Sequence, residues 1–122
     1  MEKASRVYGF NPKNVISVGY SNGANIASSL LLLRTEVLSS AVLFRSMIPL
    51  TPEKIPNLQT KNIFMAAGER DPIVPREQTE MLYRLFKKGG ANVFLRWQKN
   101  SGHALEYDEI SAAREWLSQL SI

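Results

Sequence analysis

The sequence has no cysteine, a single histidine and no long apolar run, and each shortage removes a class of function. Without cysteine, neither a disulfide framework nor a thiolate metal site can form, and the composition suits a reducing compartment. Glu2 and Glu69 have no histidine or second acid at ligand spacing, so neither a metal nor a cofactor is expected. Apolar runs such as Leu30 to Leu33 fall far short of the ~20 residues that span a bilayer. Met1-Glu2-Lys3-Ala4-Ser5-Arg6 lacks the apolar centre of a secretion signal. Together these set the expectation of a cytoplasmic protein without a membrane span. A basic block is also missing. The net charge of +4 is spread along the chain, with Lys87-Lys88 the only adjacent pair, so no nucleic-acid partner is expected.

What is present is enough for a core. With 122 residues, 44% of them hydrophobic and 21% charged, residues 1–122 read as one globular domain. Strand and helix signals alternate. Residues 2–9 have helical composition and stop at Gly9, with a turn at Asn11-Pro12. Strands are expected at Val15–Val18, Ser40–Phe44, Ile63–Ala67 and Val93–Trp97, and helices at Asn22–Arg34, Arg76–Lys88 and Tyr107–Leu120. Gly89-Gly90 closes the middle helix. The first helix carries apolar residues around so much of its circumference that cover on more than one side is expected. In the last, Ile110, Ala113, Trp116, Leu117 and Leu120 share a face. Between Arg45 and Lys61, Pro49, Pro52 and Pro56 mark a long connector, with room for one helical turn at Thr51-Pro52-Glu53-Lys54. Repeated strand–helix units imply an α/β fold: a parallel four-stranded sheet with helices on both faces.

In such sheets reactive groups gather beyond the carboxyl ends of the strands. Gly19-Tyr20-Ser21-Asn22-Gly23 sits at the first such end, between an apolar strand and a helix. A serine at this corner is held in a strained conformation that lifts its hydroxyl clear of the sheet, with residues lacking bulk two positions either side. At ordinary glycine and serine usage, G-x-S-x-G arises by chance about once in twenty or thirty chains of this length, so the strand–turn–helix context carries the weight. The bland alternative is a tight turn with an idle serine. Asp71, in Gly68-Glu69-Arg70-Asp71-Pro72, follows the third strand, and His103, in Ser101-Gly102-His103, follows the fourth. Asp-Pro is often only turn chemistry and a lone histidine often only a surface residue, but the order Ser, Asp, His on separate strand ends fits nucleophile, orienting acid and base. Glu69 is the alternative acid. Such a mechanism needs a neutral imidazole, so activity should rise with pH as the imidazole loses its proton.

These three motifs resemble the α/β-hydrolase superfamily, and within it the phospholipase/carboxylesterase, dienelactone-hydrolase-like group. Phe44-Arg45-Ser46-Met47-Ile48-Pro49-Leu50 and Ala113-Arg114-Glu115-Trp116-Leu117 extend the likeness over nearly the whole chain. The resemblance implies Ser21 as nucleophile, Asp71 as acid and His103 as base of a cofactor-free serine esterase. It also implies that only the C-terminal portion of the fold is here, because family members begin with strands and a loop that supplies one of two oxyanion N–H groups. Asn22 can offer one donor from its backbone. No Gly-rich or His-Gly loop precedes it to offer the other.

Two further expectations follow. Tyr20, Met47, Ile48, Leu50, Ile73, Val74 and Leu105 lie on loops beyond the strands and are candidates to line a pocket for a small apolar acyl or aryl ester. With the upstream strands lacking, the elbow strand becomes a sheet edge, which seeks a second copy or a complementary N-terminal segment. The alternative to an esterase is a catalytically inactive or truncated domain of the same fold that acts by association.

Overall fold

The computed structural model describes residues 15–48 and 52–120. Four parallel strands, β1 (Ile16–Tyr20), β2 (Ser40–Phe44), β3 (Asn62–Gly68) and β4 (Asn92–Gln98), lie side by side in sequence order. α1 (Asn22–Leu33) links β1 to β2, α2 (Arg76–Lys88) links β3 to β4, and α3 (Tyr107–Ser118) follows β4. The strands begin or end within two residues of their expected positions. β2, flanked on both edges, is buried at every residue, which its apolar run from Ala41 to Phe44 requires.

Side chains alternate across the pleat, and each face has its own helices. On one face Ala41, Leu43, Ile63 and Met65 pack with Ala24, Ala27 and Leu31 of α1 and with Leu82, Leu85 and Phe86 of α2. On the other, Val42, Phe44, Phe64 and Ala66 meet Ala113 of α3, with Trp116 and Leu117 beside it. Phe64 is the hub there, its ring 6.3 Å from Phe44, 5.5 Å from Phe94 and 5.7 Å from Trp116. Burying Phe64 stabilises the layer by roughly 1.5–3 kcal/mol, offset in part by the entropy of fixing it. After α2, Gly90 takes a φ of 93° and turns the chain into β4.

Several expectations are corrected. Residues 52–61 contain bends and a turn but no helix, so the helical turn at 51–54 is absent over its described residues; Thr51 itself lies outside them. α1 is covered along Ala24, Ala27, Ser28, Leu31 and Leu32, but Ile26 and Leu33 stay exposed, so among the described residues it has one covered side. In α3, Ile110 is exposed and Glu109 is fully buried beside it. Successive residues sit 100° apart on a helix, so turning Glu109 inward turns Ile110 outward. The helix expected at residues 2–9 lies outside the described residues. β1 is an edge of the described sheet: β2 flanks one side, and Val18, in register with Val42, Phe64 and Phe94, is 61% exposed.

Candidate active site

β1 delivers Ser21 to the corner where α1 begins, and the backbone there is strained. Ser21 has φ 56° and ψ −112°, a region that side-chain-bearing residues rarely occupy. Two hydrogen bonds hold it: its N–H donates to the Phe44 carbonyl at 2.8 Å, and its carbonyl accepts from Asn25 N–H at 2.9 Å. Gly19 completes the clamp, since a Cβ there would come within 2.6 Å of the Gly23 carbonyl and the Ala24 nitrogen. Gly23 differs from expectation. A Cβ on it would meet nothing within 4 Å among the described residues, so crowding explains Gly19 but not Gly23.

Asp71 and His103 arrive from the ends of β3 and β4. His103 Nε2 lies 2.9 Å from Ser21 Oγ, and its Nδ1 lies 2.8 Å from Asp71 Oδ2. With the imidazole proton on Nδ1, the ring donates to Asp71 and leaves Nε2 free to accept the Ser21 hydroxyl proton. The other carboxylate oxygen, Asp71 Oδ1, accepts N–H bonds from Ile73 at 2.7 Å and Val74 at 3.1 Å. Burial opposes ionisation of Asp71, but the bonds from His103, Val74 and Ile73 outweigh it and hold its carboxyl below the usual value. Glu69, the alternative acid, is exposed and makes no side-chain bond to His103.

The loop carrying His103 approaches β3 closely. A Cβ on Gly68 would collide with the carbonyl oxygens of Ser101 and Gly102, so only glycine allows the two backbones this near. Tyr20 reaches over from β1, its hydroxyl donating to the His103 carbonyl at 2.9 Å and its ring tilted 43° to the imidazole. At the start of α1, the first turn has no acidic residue and Ser21 provides no side-chain cap. Asn22 N–H has no hydrogen-bond partner among the described residues. The positive helix end therefore faces the Ser21 corner with no acidic residue in its own first turn.

The expected pocket residues divide. Tyr20 and Ile73 are exposed beside the imidazole and the carboxylate, and Met47 is half-buried with its N–H donating to Asn25 Oδ1 at 2.8 Å. Ile48 and Leu105 pack against the two core clusters, and Val74 is buried, so packing accounts for their apolar character. Leu50 lies outside the described residues. Sequence reasoning overlooked Arg45 and Glu109, a wholly buried ion pair behind the histidine loop. Their separation by 64 positions left no local signal. Among the described residues no cluster of histidine, acid or cysteine could hold a metal, and no helix is long and apolar enough to cross a membrane.

Residues 1–122 match the dienelactone hydrolase family. The chain is 40% identical over 119 residues to MhqD of Bacillus subtilis (strain 168), a protein named as a hydrolase, covering 98% of this chain and 59% of that one. The structure resembles a Bacillus cereus carboxylesterase with a TM-score of 0.88 and 39% identity, covering 97% of this chain and 55% of the other. It also resembles Atu2452 of Agrobacterium tumefaciens str. C58, a protein of unknown function, with a TM-score of 0.84 and 36% identity over 98% of this chain and 58% of that one. The chain thus spans a little over half the length of these relatives.

Proposed function

Because the chain belongs to the dienelactone hydrolase family and has the architecture of the C-terminal part of an α/β-hydrolase, we propose that it is a serine hydrolase of carboxylic esters. The observation that carries this reading is the continuous line of hydrogen bonds from Ser21 Oγ through the His103 imidazole to Asp71, assembled from three strand ends. The name carboxylesterase borne by the Bacillus cereus neighbour supports the same substrate class.

In the proposed reaction Ser21 Oγ attacks the ester carbonyl carbon, and its proton passes to His103 Nε2. The tetrahedral intermediate collapses, the C–O bond to the alcohol breaks, and the departing alkoxide takes the proton from Nε2. Water then attacks the acyl-enzyme, giving its proton to the same nitrogen, and the acid leaves as Ser21 recovers its hydroxyl. Asp71 keeps the imidazole in the required tautomer and steadies the imidazolium. Asn22 N–H and the α1 dipole would face the carbonyl oxygen as it gains charge, and removing one donor from such a site costs roughly 2.7–4 kcal/mol. Tyr20, Ile73 and Met47 would meet the apolar acyl or aryl group.

The test is labelling with a fluorophosphonate probe alongside hydrolysis of p-nitrophenyl esters, each compared with Ser21→Ala. Labelling confined to the wild type, with hydrolysis rising as the imidazole deprotonates, is the expected result. Labelling without turnover identifies a charge-stabilising element the chain does not itself carry. Absence of both favours a domain that acts by association instead.

A further inference from the structure

Arg45 is the largest wholly buried side chain of the described residues, and nothing in the proposed chemistry touches it. It stands at the carboxyl end of β2 with φ 57°, a left-handed conformation that aims its guanidinium under the histidine loop. Nε donates to the Gly102 carbonyl at 2.8 Å, and Nη2 to the Ala104 carbonyl at 3.0 Å and the Ser101 hydroxyl at 3.1 Å. The residues on both sides of His103 therefore hang from one planar group. The far edge of the fork meets Glu109 in a two-pronged ion pair, Nη1 to Oε1 at 2.5 Å and Nη2 to Oε2 at 2.7 Å. Glu109 Oε2 in turn accepts the Glu106 N–H at 3.0 Å, tying the start of α3 into the same network.

A pair with both side chains at 0% exposure is not explained by stability alone. Desolvating two charges costs about as much as their attraction returns, and apolar replacements of such pairs are often neutral or better. What an apolar pair cannot do is bind two backbone carbonyls and a hydroxyl in a fixed plane. We propose that Arg45, charge-balanced by Glu109, is a positioning residue that holds the 101–104 loop so that His103 reaches Ser21 and Asp71 together. The consequence for turnover rests on the esterase reading above; the consequence for the imidazole does not.

Because His103 is the only histidine, every imidazole NMR signal of the protein reports on it. The proton between Nδ1 and Asp71 gives a resonance that persists only while the loop is held. The double variant Arg45→Met/Glu109→Gln removes both charges at once, so neither is left buried alone. It is expected to keep the circular dichroism and cooperative urea transition of the wild type, lose the Nδ1 proton signal, and lower kcat about 10–100-fold with KM changed less than about twofold. Arg45→Lys keeps a charge against Glu109 but loses the fork, and is expected to lose the same signal. A double variant with the wild-type Nδ1 signal and kcat overturns the proposal. If the double variant does not fold, wild-type behaviour of Arg45→Lys overturns it equally. Should the wild type hydrolyse no ester, the esterase reading fails, while loss or persistence of the Nδ1 proton in the variants still supports or overturns the positioning role.

Discussion

Replacing Ser21 by glycine or alanine separates backbone strain from side-chain chemistry. Both variants remove the hydroxyl and its bond to His103, so that loss is common to the two and cancels in their difference. What differs is the backbone. At φ 56° and ψ −112° alanine keeps the strain of the native serine, about 1–3 kcal/mol, whereas glycine occupies the region freely. Against this, glycine has the more disordered unfolded chain, which costs it roughly 0.4–1 kcal/mol relative to alanine. The balance leaves Ser21→Gly the more stable of the two by about 0.5–2 kcal/mol, a reversal of the usual order. The strain persists in the native chain because the bonds from Ser21 N–H to Phe44 and from Asn25 N–H to Ser21, with the close approach at Gly19, fix the turn from three directions. Urea denaturation of the two variants at neutral pH measures the difference directly. If Ser21→Ala proves equal to or more stable than Ser21→Gly, the corner is not strained and the reasoning fails.

Gly68→Ala is expected to destabilise the fold by about 1–3 kcal/mol and to lower ester hydrolysis disproportionately, because its methyl group would strike the Ser101 and Gly102 carbonyls and move the loop bearing His103; thermal melts and initial rates together check this. The lowered carboxyl value of Asp71 means that its carboxylate stabilises the fold fully above the unfolded carboxyl value of about 3.9 and loses that contribution as pH falls through its lower folded value. The stability gap between wild type and Asp71→Asn should therefore narrow as pH falls below about 4, as urea titrations would show; a gap independent of pH in that range contradicts it. Among the described residues β1 is a sheet edge and Val18 is exposed, which leads us to expect a chain that elutes from size exclusion as more than a monomer, with Val18→Lys shifting it toward the monomer. A monomer that binds no hydrophobic dye would refute that expectation.

Much of the fold was legible because the pattern and the physics coincide. After Ser40, β2 is apolar without a break from Ala41 to Phe44, and a strand buried on both faces and both edges demands that. The corner at Ser21 was legible from Gly19 and a strand–turn–helix context, since the steric need is local. Asp71 and His103 could be placed at one rim because parallel strands put all their carboxyl ends there. Helix faces were less readable. Ile110 fits the apolar stripe of α3 by spacing, yet Glu109 takes the inward position because Arg45 needs a counter-charge, and that requirement comes from a residue far away in the chain. The second covered side expected of α1 is not found among the described residues for a related reason: an apolar circumference shows what a helix could bury, not which side meets a neighbour.

By itself, then, the order of residues determined the alternation of strands and helices, the strained serine corner and the identity of the only available imidazole. Those properties depend on backbone sterics and on the pleat, which act over a few residues. Tertiary structure alone decided that His103 lies within hydrogen-bonding distance of both Ser21 and Asp71 and that Arg45 bonds to the carbonyls on either side of His103. Such contacts join groups up to 82 positions apart, and only the folding of separate strands into one sheet sets their distances.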